Sequence, residues 1–300
     1  MKGELVKTIT SDGLELKGFF SDQKRDIAVF HSHGTAGDFY THEFVEVEGE
    51  RLAKEKISFL TANNRGHDVY ADIRKHKNGK IEWAQIGGGF EKFEDCLFDI
   101  EAWINFLVGR GVKKIILQGH SLGPQKILYY QSIKKDSRVV GQIYLSPCND
   151  AGLALMKHGK KKYLEINKKI LKNIKSNRKN DLLPQDLAIV CPMSSVTYSG
   201  YLIEEGVGVL NPYHSPQSKK WQKFKNIKEP LLIVLGEKDI YINGSCQEND
   251  LDYVVSLLKE KTKKVPSTIK VVKDGNHSYI GTELELVKII KNWLKQIYQI

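Results

Sequence analysis

The chain has 300 residues, 41% of them hydrophobic and 27% charged, a balance that suits one large globular domain, or a domain with an insertion, and excludes disordered and fibrous proteins. No apolar run approaches the roughly 20 residues that a membrane span requires, and the segment Met1–Lys7 lacks the apolar core of a signal peptide. The four cysteines lie far apart and form no C-x-x-C pair, so we expect free thiols in a reducing, cytoplasmic compartment.

The net charge of +10 is concentrated in one segment of the chain. Between Lys157 and Lys179 stand nine lysines and one arginine against a single glutamate. Few aromatic residues are interleaved with these lysines and no nucleic-acid-binding motif accompanies them, so we expect no nucleic-acid partner. The simplest interpretation is the solvated face of a helix. The alternatives are a surface that binds a protein or a membrane, or one that recruits an anionic substrate.

Predicted strands recur along the chain, and predicted helices separate several of them. The chain opens with an antiparallel hairpin, Glu4–Thr10 and Leu14–Phe20, joined by a Ser-Asp-Gly turn. Nearly continuous apolar, β-branched runs then predict further strands over Asp26–Phe30, Ile57–Thr61, Lys114–Leu117, Gln142–Leu145, Leu231–Leu235 and Thr268–Val272. Helices are predicted over 93–107, 124–134, 251–258 and 286–297. This alternation predicts an α/β fold with a mainly parallel, twisted sheet and helices on both faces.

Residues 149–228 interrupt the alternation. They contain no convincing strand and are rich in Lys, Pro and Gly. One amphipathic helix is predicted there, with an apolar stripe formed by Tyr163, Ile166, Ile170, Leu171 and Ile174. We therefore predict a core made of residues 1–148 and 229–300, into which residues 149–228 are inserted.

The most specific motif is Gly119-His120-Ser121-Leu122-Gly123, which lies between a predicted strand and a predicted helix. G-x-S-x-G in this context is the nucleophile elbow, whose glycines permit a strained turn that lifts the serine clear of the sheet. The motif and its context resemble the α/β-hydrolase superfamily. That resemblance covers residues 4–295 and implies a catalytic triad, an oxyanion hole and a lid at 149–228, with no cofactor and no metal.

The superfamily's chain order of nucleophile, acid and histidine implies a role for three residues. Ser121 is the expected nucleophile, Asp239 follows the strand Leu231–Leu235 and matches the acid, and His277 follows the last strand and matches the base. In these roles His277 takes the Ser121 proton, and Asp239 holds the tautomer of the imidazole and stabilises its charged form. The alternative acids are Glu237, Asp274 and Asp150.

The resemblance also implies two backbone N–H donors for an oxyanion hole. One belongs to Leu122, the residue after the nucleophile. The other belongs to Thr35, in the loop His31–Asp38, which resembles the family's H-G-x-x-G. We expect His33 to brace this loop and no metal site to form at its histidines. Asn63–His67 resembles the family's R-G-H turn, which packs beside the oxyanion loop, and is expected to be structural.

Together these features favour an enzyme that transfers an acyl group to water. The serine at the elbow excludes epoxide hydrolases and dehalogenases, which place aspartate there. The segments Gly119–Tyr130 and Leu145–Asp150 are similar to a group that includes fungal siderophore esterases, and the H-G-x-x-G arrangement is shared with cinnamoyl and feruloyl esterases. We expect a serine esterase acting on a small-molecule ester through an acyl-serine intermediate. The alternatives are an amidase or peptidase of the same fold, or a non-catalytic binding protein that uses the basic lid.

Overall fold

Ten strands form two sheets in the described part of the chain, residues 1–187 and 189–298 of a computed structural model. In chain order the strands are β1 (Glu4–Ile9), β2 (Glu15–Ser21), β3 (Ile27–Ser32), β4 (Ser58–Ala62), β5 (Ala71–Lys77), β6 (Lys80–Ile86), β7 (Lys114–His120), β8 (Val139–Leu145), β9 (Leu231–Gly236) and β10 (Ser267–Val272). Eight of them make one sheet, in the order β1-β2-β4-β3-β7-β8-β9-β10. β2 pairs antiparallel with β1 and β4, and the remaining neighbours are parallel, which confirms the predicted mainly parallel sheet with an edge hairpin.

β5 and β6 form a separate two-stranded antiparallel hairpin that the sequence patterns did not predict. The helices are α1 (Glu43–Lys54), α2 (Cys96–Gly109), α3 (Gly123–Lys134), α4 (Asp150–Ile174), α5 (Ser195–Tyr201), α6 (Ile240–Asn243), α7 (Leu251–Thr262) and α8 (Glu283–Tyr298). α4 is kinked at Gly159, whose φ and ψ angles of 72° and 153° are not helical. Short 3₁₀ helices cover Phe93–Asp95, Gln185–Leu187 and Lys219–Asn226. In the described chain, none of the helices combines the length and the apolar character needed to cross a bilayer.

Helices cover both faces of the large sheet, as predicted. Side chains alternate along each strand, so that Ile115 and Leu117 of β7 pack on one face and Ile116 packs on the other. α2, α3 and α7 contribute to the first face, whereas α1 and α8 contribute to the second. Because both faces are covered, the central strands are apolar nearly throughout, which explains their continuous hydrophobic runs.

The described residues between 154 and 203 of the segment 149–228 build a third apolar cluster, which packs against Leu122 and Phe93. The apolar residues at the end of the segment pack instead in the first cluster, on the first face of the sheet; they are Leu210, Tyr213, Trp221, Phe224 and Ile227. Tyr163, Ile166 and Ile170 of α4 are buried in this cluster, as the predicted stripe requires. Leu171 differs from the prediction, because it is 43% exposed. It follows Ile170 directly, and successive residues of a helix point about 100° apart.

Candidate active site

Ser121 lies in the tight turn between β7 and α3. Its φ angle is 61°, in the left-handed region that residues other than glycine rarely occupy. The flanking glycines make this turn feasible. A Cβ atom at Gly119 would collide with the backbone of Gly123, and one at Gly123 would collide with the carbonyl oxygen of Ser32. The turn therefore holds Ser121 beyond the end of β7, where it lines a cavity.

His277 joins Ser121 to Asp239 by hydrogen bonds. The Nε2 atom of His277 lies 3.0 Å from Ser121 Oγ, and its Nδ1 atom lies 2.8 Å from Asp239 Oδ2. Because a carboxylate only accepts hydrogen bonds, Nδ1 carries the proton and Nε2 is left to accept from the serine hydroxyl. This arrangement lets the imidazole remove the hydroxyl proton when the serine oxygen attacks.

Asp239 is fully buried at the end of β9, immediately before α6. Its Oδ1 atom accepts the backbone amides of Tyr241 at 2.9 Å and Ile242 at 3.2 Å. The aspartate is thus the N-cap of α6, which fixes the carboxylate and leaves Oδ2 for His277. The backbone bonds also compensate the buried negative charge.

The three alternative acids have other partners than His277. Glu237 Oε2 accepts the backbone amide of Asp274 at 2.8 Å, and the Asp274 carboxylate pairs with exposed Lys238 at 2.6 Å. Asp150 is buried in the wall of the cavity at Ser121. Within residues 1–187 and 189–298, none of these three carboxylates hydrogen-bonds His277.

His120 packs against His277, and His42 packs against His120. The Nε2 atom of His120 lies 2.7 Å from the carbonyl oxygen of His277 and donates to it. The ring of His42 lies 4.9 Å from that of His120. Burial, and then the neighbouring His277, hold the pKa of His120 well below its ordinary value and lower that of His42. His120 is therefore a neutral donor that fixes the backbone carrying the His277 imidazole.

The loop after β3 brings Thr35 beside the Ser121 turn. Gly34 packs so closely that a Cβ atom there would lie 2.6 Å from Ser121 Cβ and 3.0 Å from the amide nitrogen of Leu122. Thr35 lines the same cavity as Ser121. In the described chain, the Thr35 and Leu122 amides donate no hydrogen bond to another backbone group. Both N–H groups are thus available to charge that develops on a carbonyl oxygen at Ser121.

A buried polar network holds this loop. His33 donates from Nδ1 to the Gly34 carbonyl at 2.9 Å, and its Nε2 accepts the amide of Asn64 at 3.1 Å. Asn64 Oδ1 in turn accepts from Lys126 Nζ at 3.0 Å, and Lys126 pairs with Glu91 at 2.6 Å. His33 therefore braces the loop, as expected. Sequence patterns identified neither Lys126 nor Glu91.

The cavity at Ser121 has a volume of about 210 Å³. Asp150 and Val190 contribute to its wall from the segment 149–228, and Cys148 contributes from the loop after β8. The Cys148 sulfur lies 3.4 Å from Ser121 Oγ, and burial raises the pKa of this thiol well above its ordinary value, so the thiol stays protonated. Burial also raises the pKa of Asp150, to about 7.

Among the described residues, no group of His, Cys, Asp or Glu is arranged to hold a metal ion.

Three solved structures are similar to this chain over nearly its whole length. The α/β hydrolase GrgF from Penicillium sp. sh18 has 15% sequence identity and a TM-score of 0.68, with all of both chains covered. The siderophore hydrolase EstB from Aspergillus fumigatus has 16% identity and a TM-score of 0.66, covering 99% of this chain and 98% of that one. The esterase PF2001 from Pyrococcus furiosus has 17% identity and a TM-score of 0.63, covering 99% and 91%.

At sequence identities of 15% to 17%, the similarity to these three structures shows the fold of this chain. No curated protein sequence matches the chain. The family profile of DUF1749, described as a protein of unknown function, matches residues 84–295, which include α2, the Ser121 turn and the loop of His277. The chain therefore belongs to the DUF1749 family and has the α/β-hydrolase fold that its sequence predicted.

Proposed function

We propose that the protein is a serine hydrolase that cleaves a small carboxylic ester through an acyl-serine intermediate. The observation that carries this proposal is the hydrogen-bond chain from Ser121 through His277 to Asp239, with lengths of 3.0 and 2.8 Å. The similarity to an esterase and to a siderophore hydrolase supports a hydrolytic reaction. We prefer an ester to an amide because an alcohol is the better leaving group.

In the acylation half of the proposed reaction, Ser121 Oγ attacks the ester carbonyl carbon while His277 Nε2 takes the hydroxyl proton. The carbonyl electron pair moves to oxygen, and the Thr35 and Leu122 amides donate to that oxyanion. Asp239 stabilises the imidazolium through Nδ1–H. The C–O bond to the alcohol then breaks, and the departing oxygen takes the proton from His277, which leaves the acyl group on Ser121.

Deacylation repeats the same proton transfers with water. His277 takes a proton from the water as its oxygen attacks the acyl carbon, and the two amides again receive the oxyanion. The bond to Ser121 Oγ breaks, and His277 returns the proton to that oxygen. The products are a carboxylic acid and an alcohol, and the Ser121 site returns to its starting state.

We further propose that residues 149–228 form a lid over this site, inserted into a core of residues 1–148 and 229–300. Val190 and Asp150 of this segment line the cavity at Ser121, which supports the assignment. The four cysteines are buried and unpaired, and this supports the proposed cytoplasmic location.

Hydrolysis of 4-nitrophenyl acetate, butanoate and octanoate tests the proposed function. The wild type should hydrolyse at least one of them, and Ser121→Ala should keep only ~10³-fold catalysis over water, which binding and oxyanion stabilisation alone provide. Ser132→Ala is the matched control, because Ser132 lies on α3 and its hydroxyl donates to the Tyr129 carbonyl, away from the cavity. Equal turnover by Ser121→Ala and the wild type would refute the proposal.

A further inference from the structure

Asp150 is a buried carboxylate in the wall of the Ser121 cavity that the proposed reaction does not use. It is the first residue of α4 and is only 4% exposed. We propose that Asp150 binds a protonated amine of the substrate, so that the preferred esters carry an ammonium group close to the scissile bond. This inference names a substrate class and rests on the proposed ester hydrolysis.

The carboxylate of Asp150 accepts few hydrogen bonds, one from its own backbone amide at the start of α4 and one from the Gln125 side chain. Its side-chain donor is Gln125 Nε2, at a long 3.4 Å, and the same nitrogen donates to the Cys148 carbonyl at 2.7 Å. Because burial raises the pKa of Asp150 to about 7, its protonated and ionised forms are both populated near neutral pH, and a bound cation favours the ionised form. An ionised carboxylate has about four acceptor positions, so part of its capacity remains for a ligand. Buried carboxylates are normally paired with a cation or several donors.

No protein cation supplies that pairing in the described part of the cavity wall, which contains neither lysine nor arginine. The buried Lys126 is instead paired with Glu91. The imidazoles of His42 and His120 in the wall have lowered pKa values and are neutral. Although the whole chain has a net charge of +10, Asp150 is therefore the only carboxylate that lines the described cavity wall, and the titratable group that acts on it there is His277, the proposed base.

A substrate ammonium group matches this charge distribution better than an anion or a neutral group. It can donate a charge-assisted hydrogen bond to Asp150 and thereby compensate the desolvation of the carboxylate. An anionic substrate would instead face the Asp150 carboxylate in a described wall without lysine or arginine. A neutral alkyl group would leave Asp150 with only the bonds from Gln125 and its own amide.

Two pairs of isosteric esters test this inference. On the alcohol side, 2-(dimethylammonio)ethyl butanoate is compared with 3-methylbutyl butanoate. On the acyl side, ethyl N,N-dimethylglycinate is compared with ethyl 3-methylbutanoate. In each pair a protonated nitrogen replaces a CH group of the same shape. The kcat/KM value of each ester is divided by its rate constant for hydroxide hydrolysis, which removes differences in intrinsic reactivity.

In at least one pair, the wild type should prefer the cationic ester by roughly tenfold to a hundredfold, the range expected for one charged hydrogen bond. Asp150→Asn should lower that preference at least tenfold. Asp186→Asn is the matched control, because it removes a carboxylate of the same segment that is exposed, and it should keep the wild-type preference. A purely structural role for Asp150 would change both members of a pair equally, and that result would overturn the inference.

A measurement on the wild type alone keeps the inference testable if Asp150→Asn does not fold. N-[2-(dimethylammonio)ethyl]butanamide should inhibit ester hydrolysis at least tenfold more strongly than N-(3-methylbutyl)butanamide if the alcohol side faces Asp150. N,N-dimethylglycine ethylamide and N-ethyl-3-methylbutanamide make the same comparison for the acyl side. Equal inhibition within both pairs overturns the amine-binding role while ester hydrolysis stands. Failure to hydrolyse any ester instead overturns the proposed function.

Discussion

Lys126 and Glu91 form an ion pair of 2.6 Å between two side chains that are each 1% exposed. Lys126 also donates to Asn64, and Asn64 holds His33, which in turn donates to the Gly34 carbonyl. Because Gly34 packs directly against the Ser121 turn, this buried pair supports the geometry around the candidate nucleophile.

Removing one partner of this pair should destabilise the protein strongly. Lys126→Met leaves the Glu91 carboxylate buried without its cation, and we expect the free energy of unfolding to fall by about 3 to 5 kcal/mol. The double variant Lys126→Met with Glu91→Met should recover most of this loss, because it leaves no unpaired charge. Urea denaturation monitored by circular dichroism measures both effects.

Lys134→Met is the control for the Lys126 variant. Lys134 pairs with Glu101 on the surface, where the two side chains are 37% and 32% exposed. An exposed pair of this kind contributes at most about 1 kcal/mol. If Lys126→Met lost no more stability than Lys134→Met, the buried pair would not have the supporting role described above.

Asp239→Asn should lower kcat for ester hydrolysis by about 10⁴-fold, because asparagine does not keep His277 in the Nδ1–H tautomer. Asp274→Asn makes the same chemical change at an exposed carboxylate that pairs with Lys238, and it should leave kcat near the wild-type value. Steady-state kinetics with a 4-nitrophenyl ester compare the two variants. A greater loss in Asp274→Asn, or in Glu237→Gln, would show that another residue is the acid.

Glu48 on α1 should make stability depend on pH. It is fully buried, and burial raises its pKa from 4.5 to about 8, although the hydrogen bond from Gln118 opposes that shift. Between these two values the folded state keeps a proton that the unfolded chain has released. The contribution of Glu48 to stability is therefore present below pH 4.5 and is lost as the pH rises towards 8, by up to about 1.4 kcal/mol per pH unit.

Glu48→Gln mimics the protonated side chain and should remove this pH dependence. The glutamine can still accept from Gln118 Nε2, which donates to Glu48 Oε2 at 2.8 Å. Thermal melting between pH 5 and pH 9 should therefore show a variant that gains stability relative to the wild type as the pH rises. Parallel melting curves for the two proteins across that range would contradict the expected ionisation.

The lysines of α4 should not recruit an anionic substrate, because the cavity wall in the described chain contains no cation. Lys160, Lys161, Lys168 and Lys172 are exposed. We expect kcat/KM for an anionic and a neutral ester to respond alike to salt between 0.1 M and 1 M, where the screening length falls from about 10 Å to about 3 Å. Replacement of all four lysines by glutamate should leave this salt dependence of kcat/KM unchanged for both esters. A steep fall with salt for the anionic ester alone, abolished by the reversal, would establish recruitment.

The sequence predicted the strands that carry the candidate site because those strands are buried on both faces. The prediction for β8 began at Gln142, whereas the strand begins at Val139, because Gly141 interrupts the apolar run. The β5–β6 hairpin was not predicted, because its strands are largely exposed. Most of its residues are exposed and neither face is fully buried. Its apolar alternation is short, with Ile73 in β5 and with Ile81 and Trp83 in β6, and it lies among charged residues, so no strand was predicted there. The Asn78-Gly79 turn, with φ angles of 50° and 74°, was the available signal.

The candidate triad could be predicted because each member follows a recognisable strand in a fixed chain order. The network around Lys126 could not, because a lysine on a helix is ordinarily exposed. Its burial depends on Glu91, which lies 35 positions earlier in the chain. Asp150 was visible in the sequence only as an alternative acid. Its position in the cavity wall follows from the start of α4, a tertiary feature with no local pattern.

Labelling with diisopropyl fluorophosphate tests the central claim most directly, because this reagent phosphorylates a serine whose hydroxyl is activated by a neighbouring base. Intact-protein mass spectrometry should show one adduct on the wild type, and peptide mapping should locate it on Ser121. Ser121→Ala should remain unlabelled, and Asp239→Asn should react far more slowly. An adduct on another residue, or ester hydrolysis by the wild type with Ser121 unmodified after full exposure to the reagent, would contradict the assignment of Ser121 as the nucleophile.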